Sequence, residues 1–97
     1  MSGEGVSDLE VKIVYKMASN RATGAHNRTI EHIASNWGFA SHNEGRVKQL
    51  LEEMATDPEA PVEKYGGQRN AVRLTDMEDA KAFIKENGGE LPWGLRD

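Results

Sequence analysis

The sequence predicts an α+β domain, mostly α, with three helices, a β-hairpin and a closing C-terminal helix. Three observations carry that expectation. Apolar residues recur at helical spacing in four separate stretches. Two short strand-like runs flank a polar, Gly-rich tip. The 97 residues, 37% hydrophobic and 29% charged, suffice for one compact core, with little left over for a second domain.

The elements follow in order. Residues 1–6 are small, polar and Gly-rich, and read as a frayed terminus. The domain spans 7–89. Ser7-Asp8-Leu9-Glu10 has the form of a capping box, with Ser7 as N-cap. Beyond it, Leu9, Val11, Ile13, Tyr15 and Met17 alternate like a strand, while Leu9, Ile13, Val14 and Met17 form a helical stripe. The box and the length of the stretch, through Ala18, favour the helix.

Residues 19–26 are polar and read as a loop around Gly24. A second helix is expected from near Asn27, with Ile30, Ile33, Ala34 and Trp37 on one face and Gly38 as its stop. Ser41-His42-Asn43-Glu44 is a second apparent box, opening a helix over 41–55 with Val47, Leu50, Leu51 and Met54 inward. Pro58 and Pro61 forbid its continuation.

Val62–Tyr65 and Ala71–Leu74 predict a hairpin around Gly66-Gly67-Gln68-Arg69-Asn70. Thr75-Asp76-Met77-Glu78 is a third box, before a helix burying Met77, Ala80, Phe83 and Ile84 and stopped by Asn87-Gly88-Gly89. The three boxes are evenly spaced but open elements with different sequels, so they make no repeat. Residues 90–97 form a tail carrying Leu91, Trp93 and Leu95.

Composition excludes several classes. With no cysteine, a disulfide scaffold, a thiol nucleophile and a cysteine zinc site are ruled out. The mean hydropathy of −0.69 and the lack of any long apolar run oppose a membrane span, and no secretory leader opens the chain. His26, His32 and His42 are not spaced to place two ligands on one helical face. No activated nucleophile, phosphate-cradling loop or dinucleotide fingerprint is present. The expectation is a non-enzyme without cofactor or metal, in the cytoplasm.

The second and third helices are joined by a very short link. Ala34 lets two helices cross closely, and Gly38, before Phe39, takes the tight turn. This helix-turn-helix is followed at once by the hairpin and a closing helix entered through Val72-Arg73-Leu74-Thr75. Over residues 7–87 that order resembles the winged-helix (winged helix-turn-helix) domain of small prokaryotic and archaeal transcription regulators. The resemblance implies double-stranded DNA as partner, the helix over 41–55 in the major groove and the wing, 62–75, on the minor groove or backbone. The long terminal helix through which many such regulators dimerise has no counterpart.

The residues specify the faces. At about 100° per residue, the apolar stripe of the third helix leaves His42, Gly45, Gln49 and Glu52 outward, with Arg46 and Lys48 on the shoulders. Arg and Gln make bidentate contacts to base edges in a major groove, so His42, Arg46 and Gln49 are the expected base readers. Gln68, Arg69 and Asn70 are the expected wing contacts. Arg28, Thr29, Lys48, Lys64 and Arg73 are the expected phosphate contacts, Arg28 and Thr29 because a helix start favours anions. Glu52 and Glu53 on the same face oppose phosphate. Together with the net charge of −4, they favour an alternative: a winged-helix protein-interaction module or accessory subunit. The apolar tail with Leu91, Trp93 and Leu95 either folds back onto the domain, meets a protein partner or a second copy, or stays disordered.

Overall fold

The computed structural model describes residues 8–24, 27–65, 70–89 and 91. Among them it is α+β and mostly helical, with four α-helices and a three-stranded antiparallel sheet.

Helix α1 spans Asp8–Ser19 and buries Ile13, Val14, Met17 and Ala18. Tyr15 stays 38% exposed, so the alternating pattern is incidental and the helical stripe decides the element. Its N-cap candidate, Ser7, lies outside the described residues. The last turn closes as a Schellman motif: Ala22 N–H donates to the Met17 carbonyl (3.0 Å) and Arg21 N–H to that of Ala18 (3.0 Å). Arg21 takes the left-handed position, at φ +53°.

The segment expected as a plain loop does more than connect. Leu74 N–H donates to the Ala22 carbonyl (2.7 Å), and Thr23 bridges Leu74 in parallel. Strand β1, Arg28–Thr29, then pairs antiparallel with Val72 and Ala71. This strand corrects the expectation of helix from Asn27: helix α2 covers only Ile30–Asn36, with Thr29 as N-cap. The hydroxyl of Thr29 accepts from His32 N–H at 3.1 Å.

Gly38, at φ +84°, ends α2 in a conformation that a side chain disfavours. A 3-10 turn, Ser41–Asn43, leads into helix α3, Glu44–Ala55. The helix expected over 41–55 therefore starts later, and Ser41 is not its cap. Asn43 holds the N-cap position without a side-chain bond. The carboxylate that a capping box would use is engaged elsewhere, since Ser35 Oγ donates to Glu44 Oε2 at 2.6 Å. The expected stripe holds: Val47, Leu50, Leu51 and Met54 are all buried.

Strands β2 (Val62–Lys64) and β3 (Ala71–Leu74) form the hairpin, paired as Val62 with Leu74, Glu63 with Arg73 and Lys64 with Val72. The sheet order is β1-β3-β2. Helix α4, Met77–Glu86, is capped by Asp76, whose Oδ1 accepts from Asp79 N–H at 2.8 Å. The cap sits one residue later than the expected Thr75, whose hydroxyl instead donates to Asp79 Oδ2 at 2.7 Å.

The core gathers Ile13 and Met17 from α1, Ile33 from α2, Leu50 and Leu51 from α3, Leu74 from β3 and Ile84 from α4. Helix α1 packs on α4 and α3, and α2 packs on α3. Trp37, Phe39, Met77 and Phe83 are partly buried against that core. Leu91 belongs to it as well, at 7% exposure. Of the expectations for the tail, Leu91 follows the fold-back onto the domain and not the contact with a partner, because its side chain packs in the interior. Trp93 and Leu95 lie outside the described residues.

Candidate nucleic-acid interface

The outer face of α3 and the turn before it present the expected polar residues. His42, Gly45, Arg46 and Gln49 are all exposed. They point outward because the apolar stripe on the other side of the helix is anchored against α1 and α2. A Cβ built on Gly45 would meet no atom of the described residues within 4 Å.

The side chains on this face are linked in a line. Arg46 Nη1 donates to Gln49 Oε1 (3.1 Å), and Gln49 Nε2 donates to Glu53 Oε2 (3.2 Å). Lys48 stands 3.9 Å from Glu44 Oε2, one turn back on the same helix. Arg46 and Gln49 thus lie side by side in the first half of the helix.

The hairpin meets the far end of α3 through Lys64, whose Nζ lies 3.1 Å from Glu52 Oε1. Arg73 is more committed. Its Nε donates to Glu63 Oε2 at 2.7 Å across the strand pair, and its Nη1 donates to the Gly24 carbonyl at 3.3 Å. Its guanidinium also lies 5.1 Å from the Tyr65 ring centroid. Asn70, left-handed at φ +61°, donates from Nδ2 to Glu31 Oε2 at 3.3 Å and from there ties the hairpin to α2. Gln68 and Arg69 lie outside the described residues.

Arg28 sits on β1 rather than in a helix, with Nη1 bonded to the Asn27 carbonyl at 2.8 Å. Thr29 does stand at a helix start, but its hydroxyl is occupied by the capping bond. The structure therefore brings His42, Arg46, Gln49, Lys48 and Lys64 along α3 and its ends, and keeps Arg28, Arg73 and Asn70 as sheet and hairpin fastenings.

Two cations absent from the sequence expectation lie near the turn into α3. Lys12 and Lys16, one turn apart on α1, place their Nζ atoms 5.7 Å and 5.5 Å from the Phe39 ring centroid. Their spacing as a like-charged pair was visible in the sequence, but their meeting on Phe39 depends on how α1 packs.

No three His, Asp or Glu side chains among the described residues converge as metal ligands. No helix among them is long and apolar enough to cross a membrane. The fold and this face define a small α+β domain with a closely turned helix pair and a hairpin at one end of its exposed helix. Comparison with protein-family models, with curated proteins and with solved structures yields no match to this chain.

Proposed function

We propose that this chain is a winged-helix domain that binds double-stranded DNA, most simply as a small transcription regulator. Helix α3 enters the major groove, with His42, Arg46 and Gln49 toward the base edges, and the hairpin reaches the adjoining backbone or minor groove. The observation that carries this reading is the exposed row of His42, in the 3-10 turn, and Gly45, Arg46 and Gln49, on the helix that follows it and precedes an antiparallel hairpin. A B-DNA major groove admits one such helix.

The carboxylates beside Lys48 and Lys64 moderate the affinity but do not block it. Both pairs are about half exposed, and such pairs are worth about 0–1 kcal/mol. A phosphate displaces Glu44 or Glu52 at little expense, and the released counterions supply the gain.

The test is fluorescence anisotropy of a labelled random-sequence duplex, titrated at two salt concentrations with wild type, Arg46→Ala and Arg69→Ala. Micromolar or tighter binding that weakens with salt, and weakens again in Arg46→Ala, supports the reading. Absence of binding by the wild type at low salt ends it.

A second reading, a winged-helix protein-interaction module, draws on one specific observation: Glu52 and Glu53 are exposed on the same face of a chain with net charge −4. A partner with a basic surface would then bind where duplex DNA does not.

A further inference from the structure

We infer that Lys12 and Lys16, gathered over Phe39, form an additional contact to the phosphodiester backbone of duplex DNA; the inference rests on the DNA-binding reading above and deepens it. The observations begin with charge. Lys48, Lys64 and Arg73 each have a glutamate within 4 Å. Lys12 and Lys16 have no carboxylate partner among the described residues, and they are like charges one turn apart, an arrangement that repels.

The arrangement is held by a single ring. Both ammonium groups lie within 6 Å of the Phe39 centroid, the range in which an aromatic face attracts a cation. Gly38 lies beside the pair, since a Cβ there would be in ordinary contact with Lys16 Nζ at 3.5 Å. The ring draws the two stems to one place without neutralising either charge. Lys12 remains exposed and Lys16 half-buried. An anion shared between them removes the repulsion that the fold leaves standing.

Position selects the anion. Phe39 belongs to the segment that leads into α3, so the two lysines gather on the chain just before that helix, while Lys64 meets Glu52 in its C-terminal half. The 12 residues of α3 rise over about 18 Å. A major groove is about 12 Å wide and carries a phosphate strand along each edge. Cations at both ends of the helix therefore suit the two strands that border a groove holding it. Contacts of this kind fix register without reading sequence.

The test compares wild type with Lys12→Gln/Lys16→Gln, Lys12→Arg/Lys16→Arg and Arg46→Ala, by anisotropy on a labelled random-sequence duplex across a salt series. Thermal unfolding of each variant is followed in parallel. The glutamine pair is expected to weaken binding on the order of tenfold and to make the log–log salt slope shallower by about 2, whereas the arginine pair keeps the wild-type slope. If the glutamine pair keeps the wild-type slope while Arg46→Ala weakens binding, the lysines serve only to cover Phe39; the inference falls and the DNA reading stands. If the glutamine pair loses affinity and thermal stability together with no change of slope, the effect runs through the fold and the inference also falls. If the wild type shows no salt-dependent binding, both fall.

Discussion

Arg21 and Gly89 illustrate how single residues are placed by backbone geometry rather than by side-chain chemistry. Arg21 holds the left-handed position of the α1 stop, at φ +53°, a conformation that costs a non-glycine residue roughly 1–2 kcal/mol. Arg21→Gly is therefore expected to stabilise the domain by about 0.5–1 kcal/mol, after the glycine's greater unfolded-state entropy is set against the relieved strain. Urea denaturation checks it: the midpoint rises with an unchanged m-value, and a lowered midpoint overturns the account. Gly89 is constrained in the opposite sense. A Cβ there would lie 3.0 Å from both Val11 Cγ1 and Ile84 Cγ2, so a side chain just past the end of α4 would press on methyl groups of both α1 and α4. Gly89→Ala is expected to cost about 1–3 kcal/mol, read as a lowered urea midpoint. Neither position announced its geometry in the sequence. Arg21 is of a residue type that seldom occupies such a turn, and the closeness of Gly89 depends on a helix far away along the chain.

At the scale of elements, what could be read was what repeats. The stripes of α1, α3 and α4 each span several turns, so their periodicity outvotes local ambiguity. Starts were harder, because Ser, Thr and Asp serve equally at a cap, in a 3-10 turn or just before a cap. The tetrad from Ser41 continues as a 3-10 turn, and Thr75 yields to Asp76. Strand β1, with two residues, is too short to show any period and exists only because β3 offers it an edge. The displaced caps give a discriminating experiment. Asp76→Ala is expected to cost about 1 kcal/mol, whereas Ser41→Ala, which removes no capping bond, falls within about 0.5 kcal/mol of wild type. Chemical denaturation of the two variants reads the difference. Equal effects would mean that the caps are wrongly placed here.

Across the whole molecule, the outward face of α3 was legible because four buried residues fix the orientation of the rest, but the charge partners were not. Lys64 meets Glu52 and Arg73 meets Glu63 through the hairpin's register and its packing on α3, and no local pattern encodes either. These pairings turn an overall charge of −4 into an adjustable surface. If Glu44 and Glu52 restrain Lys48 and Lys64, then Glu44→Gln/Glu52→Gln releases two cations and removes two repulsive charges from the face proposed to meet a duplex. The removed pairs are half-exposed, so stability should change by less than about 1 kcal/mol in all. Affinity for a random-sequence duplex at low salt should rise on the order of tenfold, with a salt slope steeper by about 1 to 2, as the freed lysines take up phosphates. Anisotropy titrations of this variant beside wild type measure both quantities. Unchanged affinity and slope would show that neither lysine reaches DNA, and would shift the whole face toward the protein-partner reading, for which the same variant should instead weaken capture of a basic partner.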